Sequence, residues 1–147
     1  MGKTFRIGNR ESSLLSKIES SKERERFRTI NAVRENIEPF SNKVAMKLVE
    51  EKLVETVSKN SVQDQINRCV EKLCKAEDFD IDFQIAPFRT LVSNPNVVSL
   101  YLTAFIVETL INHRDIIDIY GSDEDIYHCI QKITLQTVSQ GDMLRKS

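Results

Sequence analysis

Glycine is scarce in this 147-residue chain, and its scarcity excludes the common phosphate-binding loops. Of the four glycines, Gly2, Gly8 and Gly141 lie near the ends, so Gly121 alone lies in the body of the chain. Nucleotide-binding loops need closely spaced glycines, because their backbone N–H groups must approach the phosphate. The sequence therefore predicts no nucleotide fingerprint and no cofactor.

Histidine and cysteine are also few, which argues against nucleophilic catalysis. The two histidines are His113 and His128, and on a helix the side chains of His128 and its neighbour Cys129 point about 100° apart, so they form no dyad. Cys69, Cys74 and Cys129 are an odd number with no paired framework, which is typical of a reducing compartment. We therefore predict a cytoplasmic protein without disulfides, and we lean towards a non-enzymatic role.

Long hydrophobic runs are absent as well. The most apolar stretch, residues 97–111, contains eleven apolar residues in fifteen and includes Glu108. A membrane-spanning helix needs about 20 such residues. Charged residues also interrupt the first thirty positions, where a secretory signal would need an apolar core. The sequence predicts no membrane partner.

The pattern that is present is helical. Apolar residues make up 40% and charged residues 29% of the chain, as in ordinary globular domains. Asn94 and Pro95 are typical of a helix start, and the apolar stretch that follows predicts a buried central helix at about 95–112. The spacing of the remaining apolar residues predicts a mainly α domain of about five helices packed around it.

The other predicted helices begin at capping residues. Ser41 is a candidate N-cap for a helix to about residue 59, and Ser61 for a second helix to about residue 76, with Asn60 as the break between them. Ser122 and Asp125 have the spacing of a capping box, which predicts a last helix ahead of a polar C-terminal tail.

A minor β element is predicted beside the helices. Apolar and polar residues alternate over 79–85, which is the period of a strand. A second run at 116–120 is rich in β-branched residues and ends at Gly121. We expect these two stretches to pair into a two-stranded ribbon.

Charge divides the chain into two predicted parts. Residues 1–34 hold nine Lys or Arg and four Glu, a net charge of +5, whereas residues 35–147 have a net charge of −6. Together with Pro39, this asymmetry predicts a basic N-terminal helical arm over 1–38 and a compact helical domain over 39–147.

The leading functional hypothesis is a regulatory or scaffolding protein-interaction module. Leu14, Leu15, Ile18 and Phe27 are apolar residues on a segment whose charge opposes that of the body, and we expect them to contact a partner. A second copy of the chain is the expected partner, because twofold homodimers are the commonest oligomers.

Nucleic-acid binding is the first alternative. Lys22, Arg24, Arg26 and Arg28 lie close together in the basic arm and are its candidate phosphate contacts. Glu residues interleave with them, and few aromatic residues are available to stack on bases. The same stretch is therefore also consistent with a solvated helix with ion pairs along its surface.

A metal-dependent enzyme is the second alternative. Acidic and histidine residues crowd the region around Gly121, although their spacing is not that of a structural zinc site. Capping of the last helix already explains some of the carboxylates. The candidate ligands are His113, Asp115, Asp118, Asp123, Asp125 and His128.

Overall fold

A computed structural model describes the backbone of residues 21–146 and the side chains of residues 21–140. Within this range the chain is mainly helical with one small antiparallel ribbon, as predicted. Two 3-10 turns, Ala86–Phe88 and Leu110–Asn112, follow the fourth and fifth helices. The helices are α1 over 21–34, α2 Ile37–Glu50, α3 Lys59–Lys75, α4 Asp78–Ile85, α5 Val97–Glu108 and α6 Asp123–Lys146, and the strands are β1 Val54–Thr56 and β2 Ile116–Ile119.

The predicted central helix is α5, and it is buried along its length. Leu100, Leu102 and Ile106 have no exposed surface, and the helix contacts α3, α4 and α6. It begins two residues later than predicted, because the Asn96 side chain accepts hydrogen bonds from the backbone N–H groups of Val98 and Ser99, at 3.0 and 3.2 Å. It ends at Glu108, and one 3-10 turn covers most of the rest of the predicted range.

The strand prediction for residues 79–85 is wrong, because this stretch forms α4. Residues two apart lie about 200° apart on a helix, and residues four apart share a face. The alternating apolar residues are therefore two pairs on opposite sides: Ile81 and Ile85 are buried, whereas Phe79 and Phe83 are exposed. Acidic residues in the first turn favour the helix dipole.

The predicted strand at 116–120 is confirmed as β2, but its partner is β1. The pairs are Val54 with Ile119, Glu55 with Asp118 and Thr56 with Ile116. β1 lies in a stretch that the sequence assigns to the end of a helix. That helix, α2, stops at Glu50, and Lys52 adopts a positive φ of 60° that cannot continue a right-handed helix.

The capping box at the start of α6 is confirmed. Asp125 N–H donates to the Ser122 hydroxyl at 3.2 Å, and Ser122 N–H donates to the Asp125 carboxylate at 3.1 Å. Gly121 precedes this box with a φ of +84°, a conformation that side-chain-bearing residues rarely adopt. A Cβ at Gly121 would also lie 2.9 Å from Leu53 Cδ2.

The predicted starts of α2 and α3 are both wrong by a few residues. α3 is capped by Ser58, whose hydroxyl accepts from Ser61 N–H at 3.2 Å, so Asn60 lies inside the first turn. α2 begins after Asn36, with Pro39 in its first turn, where a missing N–H costs no helical hydrogen bond. Ser41, the predicted cap, is therefore a helical residue.

Burial of Ser41 leads to a stability prediction. Its hydroxyl is fully buried and makes no hydrogen bond to any described residue. An unpaired buried hydroxyl is destabilising, and alanine has the higher helix propensity, so we expect Ser41→Ala to raise the free energy of unfolding by about 1 kcal/mol. Urea denaturation measures this change. Ser139→Ala, at an exposed position of α6, measures the effect of helix propensity alone. A loss of stability in Ser41→Ala but not in Ser139→Ala would contradict the conclusion that the Ser41 hydroxyl is buried without a hydrogen bond.

The predicted division into an arm over 1–38 and a body over 39–147 stays a prediction. Its boundary falls in the first turn of α2, and Val33 of α1 is fully buried in the same core cluster as Val44 and Leu48 of α2. The backbone of α6 is helical to Lys146 within the predicted polar tail.

Candidate interaction surface

One face of α1 packs on the domain, and the opposite face is exposed. Thr29, Ala32 and Val33 are buried, and the Thr29 hydroxyl donates to the Glu25 carbonyl at 2.8 Å. Phe27 lies two residues from Thr29, hence on the other side of the helix, and 68% of its surface is exposed. Leu14, Leu15 and Ile18, the other predicted partner contacts, lie outside the described residues.

The four basic residues predicted to bind nucleic acid do not share one face of α1. Lys22 and Arg26 are four residues apart and lie on one side, whereas Arg24 and Arg28 lie about 200° away on the other. Lys22, Arg24 and Arg28 are exposed, and Arg26 is half-buried. The helical geometry therefore separates these residues into two pairs.

Arg26 links α1 to α4 through two carboxylates. Its guanidinium donates to Asp82 at 2.6 Å and lies 3.5 Å from Asp78. Arg89, after the 3-10 turn that follows α4, approaches Asp82 at 3.3 Å. Because Arg26 is partly shielded from solvent, these contacts hold α1 beside α4 more firmly than a fully exposed pair would. Part of the predicted phosphate-binding charge is thus neutralised within the domain.

The outer face of α4 carries two exposed aromatic rings. Phe79 is 77% and Phe83 is 75% exposed, and they lie one helical turn apart, opposite the buried Ile81 and Ile85. Phe27 lines the same groove as Asp78, the chain neighbour of Phe79, and we call Phe27, Phe79 and Phe83 together the aromatic surface. The sequence prediction missed the two α4 rings, because a strand over 79–85 would have turned them towards the core. Their i, i+4 spacing is the signal that could have indicated an exposed helical pair.

Acidic residues surround the α4 part of this surface. Glu77, Asp78, Asp80 and Asp82 fall within six positions, and residues 77–85 contain no Lys or Arg, so this stretch has a net charge of −4. Residues 21–34 of α1 carry five cations and two Glu, a net charge of +3. The aromatic surface is therefore basic on one helix and acidic on the other.

Five of the six residues of the metal hypothesis, all but Asp123, make local polar contacts. Asp115 accepts from the Ser61 hydroxyl at 2.7 Å, and Asp115 N–H donates to His113 Nδ1 at 3.2 Å. Asp118 accepts from its neighbouring backbone N–H, and His128 lies 3.4 Å from Glu124. Among the described residues, no three His, Cys, Asp or Glu side chains come close enough to hold a metal ion.

The cysteines have the surroundings of structural thiols. Cys69 and Cys129 are buried, Cys74 is half-buried, and none is paired. Burial raises the pKa of the Cys69 thiol well above its usual range, and burial with the nearby Glu51 carboxylate raises the pKa of Cys129 to about 11. Because the thiolate is the reactive form, neither of these two groups is an activated nucleophile near neutral pH.

Two open grooves flank α1. One, of about 630 Å³, runs between α1 and the end of α3, with Phe27, Ile30, Leu73 and Cys74 among its lining residues. The other, of about 540 Å³, lies between α1 and the start of α5. Side chains of both signs line each groove, so neither presents the uniform charge that would indicate an ionic ligand. The charged lining residues are Glu23, Arg24, Arg26, Arg34 and Asp78 in the first, and Lys22, Glu23, Glu25, Arg26, Asp82 and Arg89 in the second.

Comparison with protein families, with curated proteins and with solved structures found no match to this chain. Over residues 21–146, no helix combines the length and the apolar character needed to cross a bilayer. The fold and the candidate surface thus define a mainly α domain with a small β ribbon and an exposed aromatic surface. Nucleic-acid binding and metal-dependent catalysis stay predictions.

Proposed function

We propose that this chain is a non-enzymatic protein-interaction module, regulatory or scaffolding in role, that self-associates through the aromatic surface. The observation that carries the proposal is the exposure of Phe27, Phe79 and Phe83, each more than two-thirds open to solvent. Two of these rings form an adjacent pair on one helix, which distinguishes them from apolar residues that are scattered singly over a surface.

The free energy available from covering these rings supports this proposal. Moving a Phe side chain from water into a packed interface is worth about 1.5–3 kcal/mol. Aromatic residues near the centre of an interface often dominate its binding energy. Three rings on each copy would therefore supply a large part of what a moderately stable dimer needs, after the cost of association is subtracted.

The surroundings of the polar groups support a non-enzymatic role. Asp115, Ser61 and His113 hold the ribbon and the start of α3 through mutual hydrogen bonds. The buried cysteines have raised pKa values rather than lowered ones. Catalytic sites commonly shift pKa values towards the working pH, and these shifts run in the opposite direction.

A cytosolic location is part of the proposal. It is supported by the three unpaired cysteines. Partly exposed thiols such as that of Cys74 persist best in a reducing compartment. Immunolocalisation of the full chain at its natural level of expression would test this part separately.

The experiment that tests self-association is sedimentation velocity over a range of protein concentrations, with native mass spectrometry of the same samples. We expect a reversible monomer–dimer equilibrium, because the aromatic surface is self-complementary in charge. A chain that stays monomeric at the highest soluble concentration would contradict self-association. Nucleic acid retained at low salt and released at high salt would instead favour the alternative function.

A further inference from the structure

We propose that the second copy docks about a twofold axis, so that α1 of each copy lies against α4 of the other. This inference rests on the proposed self-association and adds the geometry of the interface. We infer it from the distribution of charge and of aromatic rings over α1 and α4. The ion pairs of Arg26 with Asp78 and Asp82 hold those helices side by side.

A twofold interface brings each surface patch against its own copy, so it is stable only when that patch is self-complementary. Leaving out Arg26 and Asp82, which pair with each other within one copy, the described part of α1 has a net charge of +2 and the α4 stretch 77–85 a net charge of −3. A parallel alignment that stacked α1 on α1 would bring like charges together. Docking α1 of each copy against α4 of the other copy places a basic helix against an acidic helix at both contacts of the dimer. We call this arrangement the exchanged geometry.

The exchanged geometry also brings the aromatic rings of the two copies together. Phe27 lies on the basic helix, and Phe79 and Phe83 lie on the acidic helix. Each ring points away from the buried face of its own helix, and therefore away from the core of its own copy. When α1 of one copy covers α4 of the other, Phe27 meets the Phe79 and Phe83 pair of its partner. Each dimer then buries two such three-ring clusters, flanked by complementary charges.

The ribbon is a less favourable place for a second copy. β1 and β2 form a sheet of only two strands, and an open strand edge can pair with another chain. However, the Asp118 carboxylate accepts from the backbone N–H of Ile119 at 2.8 Å, so a local side chain occupies this edge donor. Asp118 would also meet its own copy near the axis of a β2–β2 pairing, where like charges repel.

Charge reversal on α1 and on α4 tests the exchanged geometry. The α1 variant is Arg24→Glu/Arg28→Glu, and the α4 variant is Glu77→Lys/Asp80→Lys. Each variant alone places like charges at both contacts of its homodimer, so we expect the dimer dissociation constant to rise at least ~10-fold. In an equimolar mixture of the two variants, a heterodimer restores opposite charges at both contacts. We therefore expect the heterodimer to make up more than half of all dimers in native mass spectra, which is the share that random pairing of the two variants gives.

The outcomes separate this inference from the proposed function. A wild-type chain that does not dimerise overturns both. The exchanged geometry is overturned, and self-association left standing, if the wild type dimerises but neither variant changes the dissociation constant. The same holds if the variants weaken the dimer and the heterodimer does not exceed half of all dimers on mixing. Weakened homodimers in both variants, together with a heterodimer above the random share, support the exchanged geometry. Stacking of α1 on α1 and α4 on α4 would place like charges together in the wild type already, so neither reversal would weaken its homodimer.

Control variants address folding and net charge. Lys132→Glu and Asp64→Lys change charge at exposed positions of α6 and α3, away from the aromatic surface, and we expect them to leave dimerisation within ~2-fold of wild type. Circular dichroism checks that each reversed variant keeps its helices. If the α4 variant unfolds, Asp80→Asn in place of the double reversal still weakens the dimer under the exchanged geometry, and an unchanged dissociation constant in Asp80→Asn overturns it.

Discussion

Replacing both rings of α4, in Phe79→Gln/Phe83→Gln, is expected to raise the dissociation constant of the proposed dimer by ~100-fold or more. The physical reason is that both rings are about three-quarters exposed in the single chain and would become buried only when a partner covers them. Losing the burial of one Phe costs about 1.5–3 kcal/mol, and each protomer loses two. Sedimentation equilibrium of wild type and variant measures the change.

The same variant should fold as well as the wild type. Gln is a good helix former, and substitution at an exposed helical position changes stability by about 0.5 kcal/mol or less. A matched control is Leu135→Gln, which removes an apolar side chain that is 53% exposed on α6, far along the chain from the aromatic surface. If Leu135→Gln weakens the dimer as much as the Phe pair does, general surface hydrophobicity rather than the aromatic surface drives association.

Ile106→Ala, a truncation in the middle of the buried helix α5, should lower the stability of the chain strongly. Ile106 lies in the middle of α5, has no exposed surface and belongs to the main core cluster with Leu102 and Leu110. Truncating a buried Ile to Ala removes apolar contacts and leaves a cavity, at a cost of about 2–5 kcal/mol. For a chain of this size we expect the melting temperature to fall by about 10 °C.

Ile111→Ala is the matched control for this change. Ile111 lies in the 3-10 turn directly after α5 and is 46% exposed, so the same atoms are removed where solvent already reaches them. We expect a loss of less than about 1 kcal/mol. Equal losses in the two variants would show that α5 is not the centre of the core. Both measurements should be made at one protein concentration, because the proposed dimerisation would contribute to the apparent stability.

The α4 segment shows why periodicity can mislead in short elements. Over seven residues, alternation of apolar and acidic side chains satisfies a strand with one apolar face, but it also satisfies a helix with two i, i+4 pairs. The strand prediction depends on the assumption that all four apolar residues are buried on one face. In the fold, α1 and α5 cover only one side of this segment, so Ile81 and Ile85 pack inwards while Phe79 and Phe83 face solvent.

The basic residues of α1 show a similar limit. Close spacing in the sequence suggests one cationic patch, whereas the helix places Arg26 on the side of α4 and Arg24 and Arg28 on the opposite side. The ion pair between Arg26 and Asp82 joins residues that are 56 positions apart. No local pattern contains such a contact, since it depends on how the chain returns to α1 after α3.

The sequence by itself determined the helical class, the buried central helix, the second strand of the ribbon and the capping box of α6. Each depends on local properties: apolar content, β-branching, or a side chain that can bond a backbone group three residues away. Only the tertiary structure decided where α2 and α3 begin, which stretch pairs with β2, and which aromatic residues are exposed. Those outcomes depend on which faces neighbouring elements cover, and burial of apolar surface against distant residues outweighs local propensities of a few tenths of a kcal/mol.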